Sequence, residues 1–205
     1  MGNYYNMKPK HQHKTPKTKV NRNKTIFLYG KHACLAAMNN KNRKIIRVFI
    51  TKNFDESALP HTMQIKPQLI KSEETGKYIP DGSVHQGIIV ETMPLPEHGL
   101  DYIVKKGGII VVLDQVTDPQ NVGAILRTAA AFNVTAIVVP KDNAPIESSA
   151  LAKTASGTLE IIPIIRVTNL VRSIEELKKH GYWFIGMDGD TKTAIGDIKD
   201  ASKNT

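Results

Sequence analysis

The fold is decided by residues 108–142, which read GIIVVLDQVTDPQNVGAILRTAAAFNVTAIVVPKD. The continuous apolar run at residues 109–113 is typical of a strand that is buried on both faces. Asp118 and Pro119 then signal a helix start, because aspartate accepts from the free amides of a first turn and proline fits the first helical position. A second apolar run at residues 134–139 predicts another buried strand. Together these features predict a βαβ unit, and hence the parallel sheet of an α/β protein.

The helix of this unit carries polar residues that folding alone does not explain. Ligands of parallel sheets bind beyond the carboxyl ends of the strands, next to the loop at residues 114–121. Asn121 lies in the first helical turn, near the positive end of the helix. Gly123 costs about 0.5–1 kcal/mol against alanine in mid-helix, so something is expected to pack against its backbone. Arg127 follows on the same face as Gly123, and we expect Asn121, Gly123 and Arg127 to face one opening. The alternative is an arginine solvated on a helix surface.

Four stretches of the sequence resemble a known family. They are residues 113–142, KTASGTLEIIPIIRVTNL at 153–170, LYGKHACLAAM at 28–38 and SVHQGIIV at 83–90. The first two resemble the SpoU/TrmH class of RNA 2′-O-ribose methyltransferases in the SPOUT superfamily, and within it the bacterial 23S rRNA guanosine-2′-O-methyltransferases. The last two resemble the two ends of the small RNA-binding domain that precedes the methyltransferase domain in this family.

This resemblance implies both a fold and an activity. The fold would be a small L30e-like N-terminal domain followed by a parallel-sheet SPOUT domain, which is an α/β knot. The activity would be methyl transfer from S-adenosylmethionine to a ribose 2′-hydroxyl of RNA, with rRNA as the expected substrate and a homodimer as the working form. The family positions that bind the cofactor fall beyond Thr205. We therefore expect an incomplete SPOUT domain with no assignable cofactor residues, and the alternatives are a non-catalytic RNA-binding protein or the remnant of a disrupted gene.

The resemblance also assigns roles to three residues of the methyltransferase part. Arg127 would orient and stabilise the reacting groups, since a guanidinium is a poor base at neutral pH. Asn121 would hold the ribose or Arg127 by a hydrogen bond. Glu160 matches a family position and is expected to steady the site or the dimer contact.

A second group of residues is predicted to bind RNA. The group comprises Gly30, Lys31, His32, Arg43, Lys44, His85 and Gln86. A glycine beside polar side chains allows the backbone to approach a phosphate or a ribose closely. The alternative is that Gly30 and Gly87 serve turns and that the histidines are satisfied locally.

The distribution of charge favours a polyanionic partner. Residues 1–54 hold 13 Lys/Arg and no Asp/Glu, so the other 28 − 13 = 15 basic residues face all 19 acidic ones. A basic arm supplies salt-dependent binding to phosphates. The alternative is a solubilising tail that contacts nothing.

The predicted organisation has four parts. Residues 1–25 are a polar, basic tail, expected to be disordered when free. Residues 26–92 are the RNA substrate-binding domain, and residues 93–107 are a proline-containing linker. Residues 108–205 are the truncated SPOUT domain.

Outside residues 108–142, the sequence predicts several further elements. Strands are expected at residues 45–51, 84–91, 160–165 and 182–187, and helices at residues 30–39, 144–157 and from Thr168 or Asn169 to Lys179. A short helix or turn is expected at residues 66–72. Pro163 marks the strand at 160–165 as an edge strand or a bend.

The sequence provides little support for a membrane protein, a disulfide-bonded protein or a metal-binding protein. The longest apolar runs are strand-length, and no apolar segment follows the basic start of the chain, so we expect a cytoplasmic protein without membrane contact. A single cysteine, Cys34, excludes an internal disulfide, and we expect it to be buried in a helix. His11 and His13 have no further ligand nearby, and Asp188 and Asp190 are expected to form a polar turn, so no metal site is predicted.

Overall fold

The computed structural model describes residues 25–142, 144–187, 189, 194 and 197. The predictions for the basic tail, apart from Thr25, lie outside the described residues. So do those for His11, His13, Asp188 and Asp190.

The first part of the chain, residues 26–92, forms one mixed sheet and is called the front unit. Its sheet is four-stranded in the order β1-β4-β2-β3, with β4 antiparallel to β1 and β2, and β3 parallel to β2. The elements are β1 (Ile26–Tyr29), α1 (Lys31–Asn39), β2 (Ile45–Ile50), β3 (Gln68–Leu69) and β4 (Ile88–Thr92). Two short 3-10 helices lie between them, at Glu56–Ala58 and Ser72–Lys77.

Two predictions in the front unit are wrong in detail. Residues 66–72 were expected to form a helix or turn, but they contain β3, whose pairing with β2 is extended when the amide of Ile70 donates to the carbonyl of Ile50. The strand expected at 84–91 starts only at Ile88. The reason is the backbone of Gln86 and Gly87, whose φ angles of 53° and 81° do not fit a strand.

The second unit, residues 100–187, contains a fully parallel sheet. Its three strands lie in the order β5-β6-β7. The elements are α2 (Leu100–Lys106), β5 (Ile110–Val112), α3 (Pro119–Ala131), β6 (Ala136–Pro140), α4 (Ser149–Ala155), β7 (Ile164–Val167) and α5 (Leu170–Lys179). The βαβ unit and the parallel sheet predicted from residues 108–142 are confirmed, and α2 lies inside the predicted linker.

The predicted helix starts of this unit are confirmed at atomic detail. The Asp118 side chain accepts a hydrogen bond from the amide of Gln120 at 3.0 Å, and Pro119 takes the first helical position. Asn169 caps α5 in the same way by accepting from the amide of Arg172 at 2.9 Å. These caps fix where each helix leaves the sheet.

Three segment bounds in the second unit need correction. The helix expected at 144–157 is shorter, because Ser148 caps its start and Ser156 leaves it at a φ of 54°. The strand expected at 160–165 is shifted to β7, after a 3-10 helix at Thr158–Glu160. Among the described strands it lies at an edge of the sheet, as predicted. Residues 182–187 are not a strand. They have no pairing partner among the described strands, and Trp183 is 53% exposed while its neighbours Tyr182 and Phe184 pack inward.

One hydrophobic core joins the two units. It contains Leu28 and Val48 of the front sheet together with Leu126, Val139 and Leu151 of the second unit. Helix α4 makes the junction, since it packs against β1 and α1 on one side and against α3 on the other. Cys34 is fully buried in this core as predicted, and burial raises the pKa of its thiol well above the ordinary value.

Candidate functional site

Asn121 and Arg127, the two residues predicted for catalysis on α3, are both exposed. Neither side chain makes a hydrogen bond or ion pair with another of the residues that the structure describes. They lie six residues apart, which is about 9 Å along a helix and about 120° around it. The expected common opening is therefore not formed by these two side chains within one chain, and each is free to meet a separate group.

Gly123 is not open to a ligand as expected, because α4 packs directly over it. A Cβ atom added at Gly123 would stand 2.7 Å from the Cβ of Thr154 and 2.9 Å from the backbone nitrogen of Ala155. The prediction that something packs against this glycine is confirmed, and the packing partner is a helix of the same chain. The glycine lets α3 and α4 approach closely.

Substitution of Gly123 by valine is expected to lower the free energy of unfolding by about 1–3 kcal/mol, because the new side chain overlaps the α4 backbone, which cannot move aside cheaply. Urea unfolding of the variant measures this loss. The matched control is Ala131→Val, at an exposed position of the same helix, where the loss of helix propensity costs no more than about 0.7 kcal/mol. Equal losses for the two variants would show that α4 does not press on Gly123.

Glu160 takes part in a buried polar network between the two units. The Arg43 guanidinium of the front unit forms ion pairs with both Glu160 and Glu147. It also donates to the carbonyl of Met93 at 3.1 Å. Asn40 donates to the Glu160 carboxylate at 2.7 Å. The second oxygen of Glu147 accepts at 2.8 Å from an amide of residues 93–99, which join the two units and are called the interunit segment. Every charged group of the network is thus hydrogen-bonded.

The burial of this network gives Arg43 a structural role. Its side chain is 0% exposed, against 5% for Glu160 and 18% for Glu147. Burial acts to lower the pKa of Arg43, but the two carboxylates outweigh it and the pKa is raised, so the guanidinium stays charged. The prediction that Arg43 contacts RNA needs correction, because its donors are committed to carboxylates out of reach of a phosphate. Glu160 holds the two units together, and its predicted role at the site stays a prediction.

Two segments of the front unit that are predicted to bind RNA, residues 30–32 and 85–86, lie next to each other in the structure. The amide of Lys31 donates to the Gln86 side chain at 2.9 Å, and Gly30, at a φ of 90°, turns the chain beside it. The amide of Gly87 donates to Nδ1 of His85 at 3.1 Å. This bond leaves the other ring nitrogen of His85 as a hydrogen-bond donor. Lys31 and His85 are half-buried, whereas His32 and Lys44 are exposed.

Lys153 of the second unit lies in one cluster with Gly30, Lys31, His85 and Gln86, although the sequence did not predict this. Its ammonium group donates to the carbonyl of Val84 at 2.8 Å and lies 5.0 Å from the centre of the Tyr29 ring. Its Cγ lies 3.8 Å from where a Cβ of Gly30 would be. The contact spans 69 positions of sequence, so only the packing of α4 against β1 brings it about.

A cavity of about 420 Å³ lies between the two units, alongside the outer edge of β7. Its wall is largely apolar, with the carboxylates of Glu147 and Glu160 on one side. The interunit segment lines another side, and Pro94 and Pro96 of this segment have no amide hydrogen to donate to the strand edge. The segment therefore lines the same cavity as this edge without extending the sheet.

Comparison with known proteins decides the family. Residues 108–204 match the model of the SpoU rRNA Methylase family. The 23S rRNA (guanosine-2′-O-)-methyltransferase RlmB of Pasteurella multocida is 37% identical over 180 residues, which is 82% of this chain and 73% of that protein. The chain belongs to the SpoU rRNA methylase family. RlmB of Haemophilus influenzae is 36% identical, with 84% of this chain and 74% of that protein aligned.

Solved structures of the SpoU methylase family share the fold. The SpoU methyltransferase AviRb from Streptomyces viridochromogenes, in complex with AdoMet, superposes with a TM-score of 0.63 at 17% identity. The aligned part is 76% of this chain and 60% of that one. An rRNA methyltransferase from Sinorhizobium meliloti gives a TM-score of 0.60 at 21% identity, over 77% and 60% of the two chains. The SPOUT architecture predicted for the parallel sheet is thereby confirmed. Within the residues described, no helix is long and apolar enough to cross a membrane.

Proposed function

We propose that this chain is an S-adenosylmethionine-dependent 2′-O-ribose methyltransferase that acts on a guanosine of 23S rRNA. The observation that carries the proposal is Arg127, a cation that is exposed on α3 within the residues matched by the family model and is paired with no described group. Exposure alone does not single out Arg127, since Arg172 of α5 is also exposed and its side chain has no partner among the described residues. What distinguishes Arg127 is its place within residues 113–142, the stretch that resembles the family.

The role of Arg127 follows from the chemistry of a guanidinium. The group stays protonated at neutral pH, so it does not remove the proton of the 2′-hydroxyl. It presents a planar set of donors that suits a phosphate or a developing oxyanion. Arg127 therefore orients the RNA and stabilises negative charge, and the neighbouring RNA phosphate assists proton removal. Asn121 supplies an amide that donates to and accepts from ribose oxygens.

S-adenosylmethionine, when bound, supplies a methyl group that an oxygen nucleophile can attack. A cradle for it would need enclosing groups at the carboxyl edge of the parallel sheet. The residues described there do not enclose a molecule of that size, since Asp114, Gln115, Thr117 and Asp118 are all exposed. The cofactor is thus proposed from the family, and no group of this edge is assigned to it.

The front unit is proposed to be an L30e-like RNA-binding domain, with residues 93–107 as the connection to the methyltransferase domain. Its support is the cluster at Lys31 and Gln86, which unites two segments predicted to bind RNA. A cytoplasmic location and a homodimer are part of the same proposal. The support for the dimer is an apolar groove along α3, lined by Phe132, which is 70% exposed.

The test is transfer of a labelled methyl group from S-adenosylmethionine to a 23S rRNA transcript by the purified chain. The same sequence made as DNA is the control, since it lacks the 2′-hydroxyl. We expect label in the RNA and none in the DNA. Label in both polymers would place the methyl group on a base, and RNA binding without label would favour a non-catalytic RNA-binding protein.

A further inference from the structure

The cluster around Gly30 exposes several hydrogen-bond donors on one side of the molecule. The Gln86 oxygen accepts from the amide of Lys31, which leaves the NH₂ group of Gln86 to donate elsewhere. His85 presents its second ring nitrogen, because the first one accepts from Gly87. The Asp55 carboxylate, which interacts electrostatically with Lys31, already accepts from both the amide and the hydroxyl of Ser57. The face therefore offers donors and positive charge.

Lys153 contributes a cation from the second unit to this face of the molecule. One of its three ammonium hydrogens is used by the Val84 carbonyl, and two remain for an incoming acceptor. The Tyr29 ring below the ammonium group attracts the charge and limits where it can go. The side chain is half-buried, so its stem is already ordered before any ligand binds. An ordered cation beside other donors suits a phosphate group.

Helix α4 links this lysine directly to the proposed catalytic helix. Thr154 and Ala155, the residues that follow Lys153, pack against Gly123 of α3, which also carries Arg127. A group bound at Lys153 is thus tied to Arg127 through two closely packed helices. Packed helices transmit position better than a loop would.

We propose that the RNA-binding surface crosses from the front unit onto α4, where Lys153 holds a backbone phosphate of the RNA. The inference rests on the proposed function and adds a phosphate contact in the second unit, outside the front domain. A lysine reads a phosphate as a point charge and carries no sequence information. Lys153 fixes the position of the RNA strand between the front unit and Arg127.

The test is the salt dependence of RNA affinity, measured on the full chain with a 23S rRNA fragment. Removal of one phosphate contact lowers the slope of log K against log salt by about 0.7–0.9. The same relation gives a loss of affinity of about fivefold at physiological salt. We expect both changes for Lys153→Met, which keeps an apolar stem, and for Lys153→Gln. Lys153→Arg should keep the slope.

The matched control is Lys179→Met, which removes an exposed lysine from α5, a helix that packs on α2 away from this cluster. An unchanged slope for both Lys153 variants, or an equal change for the control, would overturn the proposed contact. If the unmodified chain binds RNA in a salt-dependent way, either of these results leaves the proposed function unaffected. If the unmodified chain does not bind RNA, both the phosphate contact and the proposed function are contradicted.

Discussion

Arg43→Met is expected to lower the free energy of unfolding by about 3–5 kcal/mol, the usual cost of breaking a buried ion pair. The substitution leaves Glu147 and Glu160 side by side between the units without their shared cation. The Glu160 side chain is almost fully buried, so water cannot replace the guanidinium. Urea unfolding followed by circular dichroism measures the loss.

The control for this prediction is Lys105→Met, which breaks an ion pair with Asp101 that is exposed on both sides. Its expected cost is no more than about 0.5 kcal/mol, as for other surface helix pairs. Neutralising both carboxylates in the Arg43→Met background, by Glu147→Gln and Glu160→Gln, should recover part of the loss because no buried charge remains unpaired. A loss below about 1 kcal/mol for Arg43→Met alone would show that the network does not hold the units together.

Arg127→Ala is expected to reduce methyl transfer to 23S rRNA by about 10²-fold or more, the usual cost of removing one group that stabilises developing charge. The stability of the variant should change by no more than about 0.5 kcal/mol, because the side chain is exposed and makes no hydrogen bond or ion pair with the described residues. Single-turnover rates at saturating RNA measure the effect on the chemical step.

Two companion variants sharpen the result for Arg127. Arg127→Lys keeps the charge but loses the planar donor pair, so it should regain only part of the rate. Arg172→Ala removes an exposed arginine from α5 and should leave the rate unchanged. A rate for Arg127→Ala within a few-fold of the unmodified chain would place Arg127 on a surface that the substrate does not meet.

The local features of the fold were predictable because each depends on residues close together in the sequence. Asp118 and Pro119 begin α3 as expected, and Asn169 begins α5. The apolar residues Val122, Leu126 and Ala129 of α3 recur every three or four positions and are buried, as this spacing indicates. Gly123 was correctly expected to carry a packing contact, since a glycine in mid-helix is costly without one.

The features that were missed depend on distant residues. Arg43 was assigned to RNA because its charge was visible, whereas its carboxylate partners lie 104 and 117 positions away. Lys153 was passed over because only the packing of α4 on the front unit gives it a role. Strand β3 has two exposed residues and no apolar pattern, so only its pairing with β2 defines it. A single sequence carries no direct signal for such contacts.

The sequence located the helix that is proposed for catalysis, but it did not predict the opening correctly. Residues 108–142 form the βαβ unit and lie within the family match, so α3 and the positions of Asn121 and Arg127 on it follow from them. The two side chains lie about 120° apart around the helix, so they do not share one opening. The hydrophobic core shared by the two units and the buried network of Arg43 hold the front unit against α4, which packs on α3.

The most direct measurement is nucleoside analysis of unmodified 23S rRNA after incubation with the purified chain and S-adenosylmethionine. The expected product is 2′-O-methylguanosine, formed by the unmodified chain and reduced about 10²-fold by Arg127→Ala. Guanosine methylated on its base, or no methylated nucleoside at all although the RNA is bound, would contradict ribose methylation by this chain.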